Sequence, residues 1–261
     1  MSILRLVIFD VDGTLAETER DGHRVAFNRA FERLGLPDRW DEDFYGDLLR
    51  VTGGRERLYL YFDRYRPLPG TERDQLVEEL HRLKNEAFRR LIDESFMAPR
   101  SGILRLLDAL HHQGLTTAVA TTGSRSWVEP LLEGLFGRDR LSRIALIITG
   151  EDVTRKKPDP EVYTLTISKL GSSPQEALAI EDSQNGLDAA KGAGLPCVIT
   201  RSSYSRGDDF SQADLVLEDL GAPGAPCRVL SNAHPIDVGD VIDVETLLRL
   251  HHRATASRDA S

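Results

Sequence analysis

The chain has 261 residues, of which 40% are hydrophobic and 29% are charged, and its net charge is −9. This length suits one large domain or two modest ones, and the acidic balance argues against general nucleic-acid binding. No apolar stretch approaches the roughly 20 residues of a membrane helix, so we expect no membrane association. The first apolar run begins within a few residues of the N-terminus, so we expect no signal peptide. Two cysteines, Cys197 and Cys227, give no disulfide framework, which predicts a cytoplasmic protein.

The most informative segment is Ile-Phe-Asp-Val-Asp-Gly-Thr-Leu at residues 8–15. The apolar run Leu6–Phe9 predicts a buried parallel strand, and such strands deliver side chains to the sheet edge where α/β proteins hold ligands. Asp10 and Asp12 follow it two residues apart, and Gly13 permits a sharp turn. Two carboxylates this close require a cation or a shared proton, and Mg²⁺ prefers such hard oxygen ligands. We therefore predict a magnesium site here.

The segment from about Glu17 to Phe96 shows no convincing strand. Apolar residues recur at helical spacing around residues 27–34, at Glu56–Tyr65 and at Asp74–Ile92. The sequence thus predicts a small helical domain inserted after the first strand.

From Pro99 onward helices and strands alternate, which predicts a parallel sheet covered on both faces. The predicted strands are Leu115–Thr121, Ile144–Ile148, Ala177–Glu181, Cys197–Thr200 and Leu215–Leu217, and the predicted helices are Gly102–His112, Trp127–Leu135, Pro160–Leu170 and Asn185–Ala193. Residues 221–235 are expected to form a loop, and the chain is expected to fray from about Ala254. The expected fold class is α/β, with a Rossmann-like parallel-sheet core and an inserted helical cap.

Three further polar groups follow predicted strands. Thr121, Thr122, Gly123 and Ser124 offer hydroxyls and amides to phosphate oxygens, although such clusters also cap helices. Lys156 and Lys157 precede Pro158, where a basic pair is also typical of a solvated loop. Glu181 and Asp182 are adjacent acids at a strand end, which fits a second half of the metal site.

Together these groups favour phosphoryl transfer to a carboxylate. Asp10 would attack phosphorus, and Asp12 would protonate the leaving alkoxide and then activate water. Mg²⁺, Lys157 and the Thr121 region would balance the charge of the transferring phosphoryl group.

The chain resembles the haloacid dehalogenase superfamily of aspartyl-phosphate phosphatases through D-x-D-G-T at residues 10–14, Thr121, Lys157 before Pro158, and Glu181-Asp182. The resemblance implies that Asp10 is nucleophile and metal ligand, that Asp12 is the acid/base and binds metal through its carbonyl, and that Asp182 is a further ligand, with Glu181 beside it. It implies Lys157 rather than Lys156, since the family's lysine directly precedes the proline. It also implies a core of residues 1–16 and 97–261 and a cap of residues 17–96.

Substrate choice is expected to lie in the cap. Thr52, Gly53, Gly54 and Arg55 place amides and a guanidinium at a predicted helix start, which suits an anion. His81 and Lys84 share one face of the long helix, although both are also typical of a solvated surface.

The chain resembles the CbbY-like phosphatases, which act on xylulose 1,5-bisphosphate, in four segments: Ala16–Glu19, Val51–Arg57, His81–Lys84 and Ala120–Ser126. By that resemblance Glu17 contacts sugar hydroxyls, while Arg55 and Lys84 hold the distal phosphate. The expected partner is this small phosphosugar, and the expected state is a monomer.

Three alternatives stay open. A β-phosphoglucomutase shares the cap and the Lys84-Asn85 pair, but mutases of this branch commonly carry an apolar residue where this chain has Thr14. A phosphoglycolate phosphatase would have less use for a second cationic anchor. A non-catalytic phosphosugar sensor would lack Asp10 or Asp12, and both are present.

Overall fold

The structure is a computed structural model that describes residues 3–51, 53–94 and 96–259. The chain divides into two compact units. The first takes the chain up to Glu17 and from Ala98 onward, and the second is Thr18–Met97. All of the named strands lie in the first unit.

The first unit is built on a sheet with strand order β3-β2-β1-β4-β5-β6-β7. Six strands are mutually parallel, and β7 is antiparallel to β6. The strands are β1 (Leu6–Phe9), β2 (Thr116–Ala120), β3 (Leu146–Ile148), β4 (Ala177–Glu181), β5 (Cys197–Thr200), β6 (Leu215–Leu217) and β7 (Val229–Asn232).

Nine α-helices occur among the described residues. They are α1 (Arg24–Arg33), α2 (Glu42–Leu48), α3 (Gly54–Arg64), α4 (Gly70–Asp93), α5 (Ile103–His112), α6 (Arg125–Leu141), α7 (Glu161–Lys169), α8 (Gln184–Gly192) and α9 (Val244–Asp259). A π-helix at Thr18–His23 precedes α1, and a 3₁₀-helix at Pro174–Glu176 precedes β4. None of these described helices has the length and apolar character needed to cross a bilayer.

The central position of β1 determines where the polar strand ends meet. Phe9 pairs with Val119 of β2 on one side and with Ile180 of β4 on the other. All residues of β1 and β4 are buried, which explains why every one of them except Glu181 is apolar. Strands β2 and β3 lie on one side of β1, and β4 and the later strands lie on the other. The carboxyl ends of β1, β2 and β4 therefore lie together where α/β sheets hold ligands.

The second unit is helical and has its own aromatic core. Helices α1 and α4 pack against each other. The rings of Phe27 and Trp40 lie 4.7 Å apart between centroids, and those of Phe31 and Trp40 lie 5.1 Å apart. Because these large side chains are fully buried, the unit has enough apolar packing of its own to order its helices.

Two expectations about the C-terminal part of the chain are wrong. Residues 221–235, expected to be a loop, contain β7. This edge strand is mostly exposed and carries only two apolar residues, so it lacks the periodicity of a buried strand. The chain does not fray at Ala254, because α9 continues to Asp259. Ala254 is buried, and the Thr255 hydroxyl donates to the His251 carbonyl at 2.8 Å.

Candidate active site

Asp10 directly follows β1 and is 5% exposed. Its amide donates to the Ile180 carbonyl at 3.0 Å, which continues the pairing of β1 with β4. The chain then turns at Gly13, where φ is 77° and the amide donates to the Ala16 carbonyl at 2.8 Å. A Cβ atom at Gly13 would lie 2.1 Å from Asp182 Oδ2. Both the turn and the neighbouring carboxylate therefore require glycine at this position.

The ammonium of Lys157 joins three segments of the first unit. Its Nζ donates to Asp10 Oδ1 at 2.6 Å, to Glu181 Oε1 at 2.6 Å and to the Ala120 carbonyl at 2.9 Å. Burial alone would lower the pKa of Lys157, but Asp10 and Glu181 raise it above its usual value. Lys157 thus remains a cation next to Asp10, whereas the neighbouring Lys156 is exposed.

The carboxylate of Glu181 is fully buried and has hydrogen-bond donors on both oxygens. The Tyr163 hydroxyl donates to Oε1, the oxygen that also accepts from Lys157, and the Asp182 amide donates to Oε2 at 3.2 Å. A Cβ atom at Gly186 would lie 1.9 Å from Oε2. These contacts fix Glu181 as the acceptor that holds Lys157 beside Asp10.

Three buried carboxylates, those of Asp10, Glu181 and Asp182, each offer an oxygen within 4.8 Å of the others. Burial and the charge of Glu181 raise the pKa of Asp10 to about 8, against the opposing effect of Lys157. Burial and the charge of Asp10 likewise raise the pKa of Asp182 well above its usual range.

When ionised, the three acids and Lys157 together carry a charge of −2. A divalent cation would balance this charge, and hard oxygen donors suit Mg²⁺. The site therefore fits a divalent metal ion. Because Glu181 already accepts from Lys157 and Tyr163, Asp10 and Asp182 are the better placed side-chain ligands.

Asp12 is half-buried, and its charge also raises the pKa of Asp10. Its side chain is not part of the three-carboxylate group found among the described residues. The Thr14 side-chain oxygen is buried and has no hydrogen-bond partner within the described part of the chain.

The segment after β2 places Thr121 in the core and Ser124 near the surface. The Gly123 amide donates to the buried Thr121 Oγ1 at 3.1 Å. Thr122 and Gly123 are half-buried. The Ser124 hydroxyl donates to Glu151 Oε1 at 2.6 Å and makes no capping hydrogen bond at the start of α6.

Glu17 also belongs to the first unit. Its Oε1 lies 3.4 Å from Arg100 Nε, and its Oε2 accepts from the Ser203 amide at 3.3 Å. Neither Arg100 nor Ser203 was singled out from the sequence, since neither belongs to a recognisable motif.

The candidates of the second unit lie around the start of α3 and along α4. Thr52 is outside the described residues. Gly53 has φ of 100°, and α3 begins at Gly54. Arg55 is exposed and pairs with Glu78 at 3.1 Å. His81 is half-buried near Gly54, and burial followed by the charge of Lys84 lowers its pKa.

Lys84 is buried, although a lysine at this position in the helix sequence is also typical of a solvated surface. Its Nζ lies 3.0 Å from His23 Nδ1 and over the rings of Phe27 and Phe88, at 5.4 and 5.1 Å from their centroids. Burial and the charge of Lys84 lower the pKa of His23 to about 3. The imidazole is therefore neutral at physiological pH and can accept a hydrogen bond from the ammonium.

Sequence reasoning missed a partly buried ion pair in the second unit. Arg57 Nη2 lies 3.4 Å from Glu19 Oε1, and Tyr45 donates to Glu19 Oε2 at 2.6 Å. Burial alone would raise the pKa of Glu19, but Arg57 and then His23 lower it to about 2. Arg57 lies two residues after Arg55 in α3. The two arginines differ in that Arg57 lies on the buried face of the helix and Arg55 does not.

Comparison with known proteins identifies the family. The sequence model of the haloacid dehalogenase-like hydrolase family matches residues 4–194. The protein CbbY of Cereibacter sphaeroides is 40% identical over 226 residues, which cover 85% of this chain and 95% of CbbY. We also compared the chain with the crystal structure of a mutant CbbY from Rhodobacter sphaeroides in complex with xylulose 1,5-bisphosphate. The two sequences are 40% identical, and the match covers 83% of this chain and 95% of that CbbY chain, with a TM-score of 0.70.

A further relative, a validoxylamine A 7′-phosphate phosphatase of Streptomyces hygroscopicus, is 32% identical and covers 83% of this chain and 94% of its own. The family pattern spans most of the sheet described above, including the segments that carry Asp10, Lys157 and Asp182. The chain belongs to the haloacid dehalogenase-like hydrolases, and it is a phosphatase of that family.

Proposed function

We propose that the chain is a Mg²⁺-dependent phosphatase that converts xylulose 1,5-bisphosphate into xylulose 5-phosphate through an aspartyl-phosphate at Asp10. The observation that carries this proposal is the ammonium of Lys157, held between Asp10 and Glu181 at 2.6 Å from each. The carboxylate of Asp182 lies within 4.8 Å of both acids. The choice of sugar is supported by the CbbY structure that contains xylulose 1,5-bisphosphate.

In the first step, a carboxylate oxygen of Asp10 attacks phosphorus in line with the leaving sugar oxygen. Lys157 keeps the attacking group in place through Asp10 Oδ1 and offsets part of its charge. Asp12 gives a proton to the sugar oxygen as the bond to phosphorus breaks. The products of this step are the free sugar hydroxyl and the phosphorylated Asp10.

In the second step, Asp12 accepts a proton from water, and the resulting hydroxide attacks the phosphorus bound to Asp10. The acyl–phosphate bond breaks, and both Asp10 and inorganic phosphate are released. The buried Thr121 is proposed to bind the phosphoryl oxygens together with Thr122, Gly123 and Ser124.

Asp10, Asp182 and the backbone carbonyl of Asp12 are proposed to hold Mg²⁺, with Glu181 beside them. When bound, this ion supplies positive charge that lets two neighbouring acids be ionised and that stabilises charge on the phosphoryl group.

For the rest of the substrate, we propose that Glu17 binds sugar hydroxyls and that Arg55 and Lys84 bind the second phosphate. Gly53, Gly54 and His81 lie near Arg55 and supply amides and a ring nitrogen at the start of α3. In the structure Arg55 pairs with the exposed Glu78, so binding a phosphate would replace one exposed anionic partner by another.

The free thiols of Cys197 and Cys227 fit the proposed cytoplasmic location.

The test is release of inorganic phosphate from xylulose 1,5-bisphosphate, ribulose 1,5-bisphosphate, xylulose 5-phosphate and p-nitrophenyl phosphate, each with Mg²⁺ and with excess chelator. We expect xylulose 1,5-bisphosphate to give the highest kcat/KM and chelator to abolish turnover. A preference for any monophosphate would refute the proposed substrate. Formation of glucose 6-phosphate from β-glucose 1-phosphate would instead identify a mutase.

Arg55→Ala tests the second phosphate site, with Arg50→Ala as the matched control. Arg50 lies five residues earlier, is exposed and pairs with Asp47 at 3.2 Å. Arg55→Ala should raise KM for the bisphosphate by about tenfold, the cost of one charge-assisted contact, and should leave p-nitrophenyl phosphate nearly unaffected. Equal effects on both substrates, or equal effects of both variants, would exclude Arg55 from recognition.

A further inference from the structure

The guanidinium of Arg100 is the meeting point of three separated segments of the first unit. Its side chain is only 11% exposed. Nη1 donates to the Thr200 carbonyl at 2.8 Å and to the Gly13 carbonyl, and Nη2 donates to the Arg201 carbonyl at 2.8 Å and the Glu218 carbonyl at 2.9 Å. The planar fork of an arginine can serve this many acceptors, and the single ammonium of a lysine cannot.

Arg100 also holds the chain that follows the two catalytic acids. Its Nε faces Glu17 Oε1 at 3.4 Å, and its backbone amide donates to the Leu15 carbonyl at 2.9 Å. With the hydrogen bond to the Gly13 carbonyl, Arg100 thus makes three contacts with the segment from Gly13 to Glu17 and holds it in place. Asp12 lies directly before this segment, so a shift of Gly13 would also displace Asp12.

The second oxygen of Glu17 accepts from the Ser203 amide at 3.3 Å. Glu17 is thus oriented from two sides, by the side chain of Arg100 and by the backbone of Ser203. Its side chain is nevertheless 15% exposed, so it is not sealed within the core. A carboxylate that is held in one rotamer and still partly accessible is suited to recognise hydroxyl groups of a ligand.

We propose that Arg100 is a positioning residue that determines substrate selectivity by fixing Glu17 and the turn at Gly13. This inference rests on the proposed function, because it assigns Glu17 to the sugar of a bisphosphate. Arg100 contacts neither phosphate in this proposal; it acts through Glu17.

The chain offers a matched control in Arg105, which lies five residues later, in α5. Arg105 also donates to backbone carbonyls, those of Ile242 at 2.9 Å, Leu220 at 3.0 Å and Gly221 at 3.3 Å. None of these three contacts involves residues 13–17. Arg105→Lys therefore disturbs a comparable set of bonds away from the site.

The experiment compares kcat/KM for xylulose 1,5-bisphosphate with that for p-nitrophenyl phosphate in the wild type, Arg100→Lys and Arg105→Lys. We expect Arg100→Lys to reduce the ratio of the two values by about tenfold or more, chiefly through KM for the bisphosphate. Arg105→Lys should lower the melting temperature and leave the ratio unchanged. A folded Arg100→Lys variant with an unchanged ratio, or an equal change in Arg105→Lys, would overturn the inference.

Glu17→Gln keeps the inference testable if Arg100→Lys does not fold. This variant leaves the carbonyl bonds of Arg100 intact and removes the charge that faces the guanidinium. It should lose selectivity for the bisphosphate in the same direction, and unchanged selectivity would overturn the inference. If Arg100→Lys does fold, adding it to Glu17→Gln should reduce the ratio little further. A wild type without preference for the bisphosphate would show instead that the proposed function itself has failed.

Discussion

The hydroxyl of Tyr163 donates a hydrogen bond to Glu181 Oε1, the oxygen that also accepts from Lys157. The Tyr163 ring lies 5.0 Å from Lys157 Nζ. Burial and the charge of Glu181 raise the pKa of Tyr163 well above its usual value, so the phenol stays protonated and remains a donor.

Tyr163→Phe should therefore lower kcat by about tenfold and leave KM nearly unchanged. The variant removes one of two donors to Glu181 Oε1, which leaves Lys157 less firmly placed against Asp10. Stopped-flow or steady-state kinetics with p-nitrophenyl phosphate would measure kcat and KM, because that substrate does not depend on the sugar-binding residues. A normal kcat would show that Lys157 needs no support from Tyr163.

Asp10→Asn should reduce turnover by about a thousandfold or more, since an amide cannot form the phosphorylated intermediate. The fold should be retained, because the replacement keeps the shape of the side chain and removes one of three crowded acids. Phosphate release and thermal melting measure the two effects separately. Substantial residual turnover would refute Asp10 as the nucleophile.

The pair Lys157→Met and Lys156→Met tests which lysine serves the site. Lys157→Met leaves Asp10 and Glu181 without their cation and should abolish activity. Lys156 is exposed, so Lys156→Met should stay within about twofold of the wild type, as is usual for surface substitutions. Circular dichroism of both variants provides the folding control. The reverse result would transfer the role to Lys156.

Two arginines on α3 should differ sharply in their effect on stability. Arg57→Ala leaves Glu19 partly buried without its cation and should lower the free energy of unfolding by about 3 kcal/mol. Arg55→Ala breaks an exposed pair with Glu78 and should cost less than about 1 kcal/mol. Urea denaturation of the two variants measures this difference. Similar losses would mean that the pair between Glu19 and Arg57 contributes little.

Glu19 and His23 each make a contribution to stability that is lost in acid. The pKa of Glu19 is lowered from 4.5 to about 2 on folding, so its ionised form stabilises the fold above pH 4.5 and this contribution is lost towards pH 2. The pKa of His23 is lowered from 6.5 to about 3, so protonation favours the unfolded chain as the pH falls through that interval. Both effects have the same sign.

Glu19→Gln should make the dependence of unfolding free energy on pH shallower between about pH 5 and pH 3. The slope between about pH 6.5 and pH 5 should persist, because Glu19 is largely ionised in both the folded and the unfolded chain over that interval. Denaturation curves collected at several pH values would show both intervals. An unchanged slope below pH 5 would mean that Glu19 is not the group responsible.

The fold and the family could be predicted because their evidence is local in sequence. The apolar run of β1 and the acids after it are adjacent, and β4 with Glu181 and Asp182 repeats the pattern. The weak edge strand β7 could not be predicted, because its exposed residues carry no buried periodicity.

Residues of the candidate site could be predicted from the sequence only where they belong to a motif. Asp10, Lys157, Glu181 and Asp182 meet in the structure, and their catalytic roles stay predictions. Tyr163 reads as an ordinary core aromatic of α7, and nothing in its sequence context indicates a bond to a residue 18 positions later. Arg100 was missed for the same reason, since its acceptors lie on three remote segments.

The two glycines beside the acids show how closely this site is packed. A methyl group at Gly13 or at Gly186 would overlap a carboxylate, that of Asp182 in one case and that of Glu181 in the other. In a saturation-mutagenesis library, both positions should tolerate no replacement, although neither glycine takes part in the chemistry. A homologue with alanine at either position must therefore arrange its acids differently, and its activity should not be inferred from the aspartates alone.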